Sequence, residues 1–366
     1  MTGLRNALRN PLAAAIFAIG AAFVLLACAE ALHSAFSLPF PIAGALLLPP
    51  GIVLLLDGRV RRKKALRRLH RAMGILTVPW LYALICLLGL WLTLRLLPLF
   101  GCEPSDRLRL RLGLLFAAVW LLILAWGAVS AVFLRVRRKA LSLPELSGKK
   151  LAILSDFHLG FFTSMRALRR TVRKVNDEKP DLILIPGDFF DLYFDDLRHP
   201  EEVASLLKAL SAPLGVYGCE GNHDRFCFAE SEDGQKFLAD CGVTLLRDEG
   251  LQMENFYLYG RKDAGDESRL PAENLPLPEG TPAVILDHRP GDIPALASLG
   301  AAAVFCGHTH GGQTFPGDLL LRILSRYNLG GRHTGGTYSH TTAGCGRWGI
   351  PCRFLTGDEI VILELL

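Results

Sequence analysis

Two histidines stand two residues apart near the end of the chain, in Gly307-His308-Thr309-His310, directly after an apolar run at residues 301–306. Three upstream segments have the same layout, in which an apolar run is followed by polar residues; they are Asp156-Phe157-His158, Gly187-Asp188 and Gly221-Asn222-His223-Asp224. His288 follows a further apolar run. Carboxylates, imidazoles and an amide oxygen together suit Mn²⁺, Fe or Zn²⁺ better than Mg²⁺. Two such ions about 3.5–4 Å apart need a bridging group, and Asp188 is the expected bridge.

The elements that must position these residues form an α/β pattern in the second part of the chain. Apolar runs predict strands at residues 151–154, 182–185, 214–217, 243–246, 256–259, 283–286, 301–306 and 360–363. Helical periodicity lies between them, at residues 164–178, 200–210, 229–241 and 292–299. So many strands favour two sheets. Every candidate ligand follows the C-terminal end of a predicted strand, which is where open α/β sheets place their sites.

The five motifs, in this order, resemble those of the calcineurin-like metallophosphoesterases. The extended run Gly307-His-Thr-His-Gly-Gly-Gln313 and the tail at residues 343–354 resemble a membrane-associated, phosphodiesterase-like bacterial subgroup. The resemblance implies an α/β fold with a four-layer α-β-β-α sandwich over residues 150–366. It also implies hydrolysis of a phosphodiester or pyrophosphate bond by a hydroxide that bridges two divalent metals, Mn²⁺ first and Fe or Zn²⁺ as alternatives.

The same resemblance assigns a role to each motif residue. The first metal would be bound by Asp156, His158, Asp188 and His310, and the second by Asp188, Asn222, His288 and His308. The catalytic residues would be His223, which faces the leaving group, and Asp224, which orients His223. Asp191 reads as a turn or helix cap, and strand alternation predicts that Asp287 points away from the site.

The first 140 residues have the composition of a membrane domain. The 366-residue chain is 51% hydrophobic, and four apolar stretches, at residues 10–30, 36–56, 72–94 and 112–134, are long enough to span a bilayer. Residues 1–150 hold 20 basic and 5 acidic residues, whereas residues 151–366 hold 20 basic and 30 acidic ones. The acidic second part disfavours nucleic acid as a partner. The boundary between the two domains is expected at residues 140–150.

Basic residues set the expected topology. They cluster before the first stretch, at residues 57–71 and at residues 135–139. By the positive-inside rule, both termini and the 57–71 loop are cytoplasmic, so the catalytic domain of an integral protein of the bacterial inner membrane would face the cytoplasm. The nine cysteines lack framework spacing, which fits a reducing compartment. Cys219 and Cys306 are read as strand packing rather than as metal ligands.

The substrate is left open by the sequence. Phe161-Phe162 and the aromatic residues at 189–194 either line a lipid-accepting cleft or pack in the core, and residues 319–327 form either an amphipathic surface element or a buried helix edge. A phosphoester substrate, lipid-linked or soluble, is the expected partner, and the oligomeric state is not specified. The alternatives are a lipid-pathway pyrophosphatase of the UDP-diacylglucosamine hydrolase type, a non-catalytic metal-binding scaffold, and a transporter with a fused domain.

Overall fold

The computed structural model describes residues 11–47, 75–314, 317–348, 352–354 and 356–366. The chain divides into two compact units, Met1–Trp126 and Gly127–Leu366. The predicted boundary at residues 140–150 stays a prediction, and the second unit of the structure begins earlier, at Gly127.

The first unit is helical in its described part. Its helices are Pro11–Phe36, Phe40–Leu47 and Thr77–Leu96, the last of which continues as a 3₁₀ turn at Leu97–Phe100, and helix Asp106–Ser130 starts here and ends in the second unit. Two helices of the described chain, Thr77–Phe100 and Asp106–Ser130, are long and apolar enough to cross a membrane. The other two predicted spans stay predictions. Residues 48–56 of the second predicted span and the whole basic 57–71 loop lie outside the described residues.

The fourth predicted span, at residues 112–134, is wrong at its C-terminal end. Helix Asp106–Ser130 stops four residues earlier, and strand β1 (Leu134–Leu141) begins where the span was to end. Apolar and basic residues alternate only over residues 134–137, and the whole segment pairs in parallel with the last strand, β12 (Asp358–Leu365). The basic residues at 135–139 therefore lie on a strand of the second unit.

Two six-stranded mixed sheets form the second unit. The first sheet has the order β1-β12-β2-β3-β4-β5, and the second has the order β10-β11-β9-β8-β7-β6. The strands not yet given are β2 (Lys150–Ile153), β3 (Leu182–Pro186), β4 (Val216–Cys219), β5 (Val243–Leu246), β6 (Glu249–Gln252), β7 (Tyr257–Gly260), β8 (Ala283–Leu286), β9 (Ala303–Cys306), β10 (Gly330–Thr334) and β11 (Thr337–Thr341). The central strands β2–β5 and β7–β9 run parallel within their sheets.

Alternating side chains explain why the central strands are apolar throughout. In β3, Leu182 and Leu184 point into the core between the sheets, whereas Ile183 and Ile185 point outward to the helices. β8 divides in the same way, with Leu286 inside and Ile285 against the helix Ile293–Ser298. Both faces of each sheet are covered, so a continuous apolar run is required. These mixed α/β sheets agree with the predicted metallophosphoesterase fold, and the α-β-β-α layering stays a prediction.

Helices cover the outer face of the first sheet. They are Met165–Asp177, Pro200–Lys208, Asn222–Glu230 and Asp233–Asp240, and helix Gly317–Leu324 lies later in the chain. The predicted helix at residues 229–241 has the wrong first residue, because the structure has two helices here, Asn222–Glu230 and Asp233–Asp240. A helix already begins within the Gly-Asn-His-Asp motif, because the Asp224 carboxylate accepts from the Gly221 N–H and caps the first turn. The sequence also did not predict β1, β6, β10 and β11.

A buried leucine tests the two-sheet core. Leu286→Ala removes a fully buried side chain between the sheets and should lower the free energy of unfolding by about 2–5 kcal/mol. The control Leu251→Ala, on β6 with 39% of its residue surface exposed, should change it by less than about 1 kcal/mol. Thermal unfolding of the detergent-solubilised full chain measures both, and equal losses would contradict the assigned core.

Candidate metal centre

The first group of candidate ligands, Asp156, His158 and His310, gathers at the ends of β2 and β9. The Nε2 atoms of His158 and His310 are 3.0 Å apart. An oxygen of Asp156 lies 3.4 Å from Nε2 of His310 and 3.8 Å from Nε2 of His158. All three side chains are buried, and their ligand atoms are close enough to share one metal ion.

The second group lies beside the first. Nε2 of His288 is 3.2 Å from Oδ2 of Asp188 and 3.1 Å from Oδ1 of Asn222. The rings of His288 and His308 are 5.0 Å apart. Asp188, His288 and His308 also have the spacing to hold one ion.

Asp188 contacts both groups with one oxygen. Its Oδ2 lies 3.7 Å from Nε2 of His158 in the first group and 3.2 Å from Nε2 of His288 in the second. Its other oxygen, Oδ1, accepts the backbone N–H of His223 at 2.8 Å. Because that hydrogen bond fixes the carboxylate, Oδ2 faces the space between the two groups.

Burial sets the charges in the centre. Burial raises the pKa of Asp156 to about 6, against the opposing effect of His288. Burial also lowers the pKa values of His158 and His310 well below normal and that of His308 to about 3, so these three imidazoles are neutral ligands. His288 differs, because Asp188 and Asp156 outweigh its burial and raise its pKa to about 10. Buried carboxylates beside neutral imidazoles need a cation, and the donor set fits divalent metals.

The backbone at these positions is strained. Left-handed φ angles occur at five of the seven candidate ligands: Asp156 at 53°, His158 at 47°, Asp188 at 56°, His308 at 71° and His310 at 49°. Each such residue costs about 1 kcal/mol or more relative to ordinary backbone. Strain of this kind concentrates at functional sites, where the surrounding structure holds the side chains in one place.

Comparison with known proteins agrees with this geometry. Residues 149–312 match the family model described as calcineurin-like phosphoesterase. This part of the chain is a calcineurin-like metallophosphoesterase domain. The match includes every candidate ligand, from Asp156 to His310. Proteins of this family are metal-dependent phosphoester hydrolases.

Several relatives share the metallophosphoesterase domain. An uncharacterized metallophosphoesterase of Helicobacter pylori (strain J99) is 31% identical over 225 residues, covering 59% of this chain and 60% of its own length. The phosphodiesterase YaeI of Escherichia coli is 28% identical over 59% of this chain and 82% of its own. A Danio rerio protein named as a transmembrane protein with metallophosphoesterase domain is 29% identical over 242 residues, which cover 61% of this chain and 54% of its own length. The chain thus spans about 60% of the length of the first relatives it matches.

The metallophosphoesterase domain gives His223 a partner that the sequence did not predict. Nδ1 of His223 donates to the backbone carbonyl of Asp191, and the His223 ring lies 4.7 Å from that of His158. The expectation that Asp224 orients this ring is therefore corrected. The Asp224 carboxylate instead accepts the backbone N–H groups of Phe190 and Gly221, and so fixes the loops that carry the site.

Asp191 also lies closer to the centre than the sequence indicated. Its carboxylate oxygen is 3.9 Å from Nδ1 of His158 and 3.8 Å from Nδ1 of His223, and these three residues form a third group with metal-ligand spacing. Its backbone N–H donates to the carbonyl of Leu159 at 2.9 Å, so this bond joins two loops that are distant in sequence and does not close a local turn. The one feature of the sequence that could have indicated a position near the metal centre was the place of Asp191 in Gly187-Asp-Phe-Phe-Asp191.

Arg353, in the tail after the last ligand motif, was missed by sequence reasoning. It is fully buried, and its Nη1 donates to the His310 carbonyl at 3.3 Å. Nη2 donates to the carbonyls of Ala343 and Gly346 at 2.8 and 2.6 Å, and Asp358 balances the charge from 2.8 Å. Arg353 therefore ties the His310 loop to the tail that resembled the membrane-associated subgroup.

Other expectations concern residues near the centre. Asp287 points away from it and forms ion pairs with Arg261 and Arg269 at 2.8 and 2.7 Å, as strand alternation predicted. Cys219 and Cys306 are fully buried in strands, and burial raises their pKa values well above normal, so packing is confirmed. The aromatic pair at 189–190 is fully buried, which favours core packing over a lipid cleft for these two residues.

Gly307 provides a test of how the first group is held. A Cβ at this position would lie 2.4 Å from Oδ2 of Asp156 and 1.9 Å from Oγ of Ser155, so Gly307→Ala must displace the Asp156 carboxylate. We expect Mn²⁺ affinity to fall by about 10–100-fold, as when the support of a metal ligand is lost. The control is Gly336→Ala, which meets no atom within 4 Å. Metal titration of both variants measures the effect, and equal affinities would contradict it.

Proposed function

We propose that the chain is a membrane-anchored phosphoesterase that uses two divalent metal ions to hydrolyse a phosphodiester or pyrophosphate bond. The observation that carries this proposal is the position of Asp188, whose Oδ2 lies within 3.7 Å of His158 and 3.2 Å of His288. A buried carboxylate oxygen shared by two sets of imidazoles is the arrangement that a bridging ligand requires. The phosphodiesterase name of the YaeI relative supports the bond type.

Each candidate ligand has a place in this proposal. Asp156, His158, Asp188 and His310 would hold the first metal, and Asp188, Asn222, His288 and His308 the second. The bound metals would lower the pKa of a water between them and neutralise charge on the phosphoryl oxygens. Mn²⁺ is the expected ion, with Fe and Zn²⁺ as alternatives.

His223 is the proposed general acid. Because a carbonyl oxygen only accepts, the hydrogen bond to the Asp191 carbonyl keeps a proton on Nδ1 of His223. Nε2 is then the atom that gains and releases a proton, and it can deliver that proton to the departing alkoxide. Trp348 lies beside His223, with ring centroids 6.4 Å apart, and the Gln313 side chain holds the Trp348 backbone through two hydrogen bonds of 2.9 and 3.1 Å.

Removal of the shared carboxylate tests the two-metal proposal. Asp188→Asn should reduce Mn²⁺-dependent hydrolysis of bis(4-nitrophenyl) phosphate by at least ~100-fold, because both metals lose a charged ligand. The matched control is Asp177→Asn, at the exposed C-terminal end of helix Met165–Asp177. Undiminished hydrolysis by the Asp188 variant would refute the proposal. A native protein that binds Mn²⁺ but cleaves no phosphoester would instead favour the non-catalytic scaffold.

Exposed apolar side chains on a long helix support the membrane anchor. Helix Asp106–Ser130 exposes large side chains such as Leu114, Leu122 and Trp126, each more than half exposed. A core helix of a water-soluble protein would bury these residues, whereas a lipid-facing helix exposes them. The name of the Danio rerio relative also supports a membrane location. We further propose that the catalytic domain faces the cytoplasm, from the positive-inside rule.

Cys102 tests this topology. It is an exposed free cysteine between the two long apolar helices, so the proposed orientation places it on the periplasmic side. A membrane-impermeant maleimide should label the full-length protein in intact cells, and Cys102→Ser should abolish most of that labelling. If Cys102 reacts only after the cells are lysed, the proposed orientation is inverted or the helices do not span the membrane.

A further inference from the structure

Two arginines lie beside the second group of candidate ligands. Arg289 directly follows His288, and Arg225 is three residues after Asn222 on helix Asn222–Glu230, so it shares the face of the helix that carries Asn222. Both arginines are about one-third exposed, at 34% and 36% of their side-chain surfaces.

A buried carboxylate holds both arginines in place. Asp263 is fully buried just after β7, and it accepts from Nε and Nη2 of Arg289 at 2.7 and 3.1 Å. Nε of Arg225 lies 3.6 Å from the same carboxylate. The backbone N–H of Gly265 donates to it at 2.8 Å, which fixes its position. Hydrogen bonds therefore fix the guanidinium group of Arg289 before any ligand binds, and an ion pair with the same carboxylate keeps that of Arg225 beside it.

The charges of this cluster do not balance. One carboxylate, Asp263, faces two guanidinium groups, while the neighbouring Glu220 is already paired with Arg247 at 2.7 Å. The buried Nε of Arg225 has no hydrogen-bond partner within the described part of the chain. A guanidinium carries five N–H donors, and Arg289 uses two of them on Asp263. The cluster therefore has one guanidinium group more than Asp263 neutralises, and Arg289 keeps N–H donors that Asp263 does not use.

We infer that Arg225 and Arg289 form a subsite for a second phosphoryl group next to the one that is hydrolysed. Fixed guanidinium groups bind phosphate oxygens through paired, charge-assisted hydrogen bonds. The substrate class is then a pyrophosphate diester rather than a diester with a single phosphate. This inference rests on the proposed function, because it places the hydrolysed phosphoryl group at the candidate metal centre.

Paired substrates test the subsite. Arg225→Gln and Arg289→Gln each leave Asp263 one arginine, so the buried carboxylate keeps a partner. In the Mn²⁺-loaded full chain, kcat/KM for UDP-glucose should fall about 10–100-fold more than kcat/KM for bis(4-nitrophenyl) phosphate, since charge-assisted hydrogen bonds have this strength. Arg247→Gln is the matched control, because it also removes a partly exposed arginine paired with a buried carboxylate, and it should change the two values equally.

A binding measurement separates this inference from the proposed function. Calorimetry should find that the Mn²⁺-loaded protein binds α,β-methylene-UDP about 10-fold more tightly than UMP, and that either arginine variant reduces this ratio to about 3 or less. Equal losses on both substrates with an unchanged binding ratio would overturn the subsite and leave the phosphoesterase intact. A native chain that hydrolyses neither substrate would overturn the proposed function, while the binding ratio would still decide the subsite.

Discussion

The structure of the site depends on burying carboxylates among imidazoles. Asp156 and Asp188 are almost completely buried, and an uncompensated charge in such a place is strongly unfavourable. Against the effect of its burial, Asp188 and Asp156 raise the pKa of His288 to about 10, whereas burial lowers the pKa values of the other three imidazoles. This buried donor set fits divalent metal ions, and the strained loops and the Arg353 contacts of the tail keep the donors in position.

Much of the second unit could be predicted, because parallel strands covered on both faces leave continuous apolar runs. β3 and β8 are examples, and the polar residues that follow them meet at one edge of the paired sheets. All seven candidate ligands and His223 were named from such positions, and the structure brings them together. Strands such as β1 and β10 escaped prediction because they lie at sheet edges and carry exposed polar side chains.

The missed contacts share one physical cause, which is that backbone atoms make them. His223 is oriented by the Asp191 carbonyl rather than by the Asp224 carboxylate, and Arg353 holds His310 through carbonyl groups. Every residue has a carbonyl, so a sequence carries no signal of which one is used. The left-handed backbone of Asp156 and Asp188 is equally invisible, since these φ angles are imposed by neighbouring loops.

The central claim is that Asp188 bridges two metal ions. Electron paramagnetic resonance of the Mn²⁺-saturated full chain tests it directly, because two Mn²⁺ ions that share a carboxylate are magnetically coupled. We predict a coupled dinuclear spectrum that Asp188→Asn converts into the spectrum of isolated Mn²⁺. An isolated six-line spectrum in the native protein at saturating Mn²⁺ would contradict the two-metal centre.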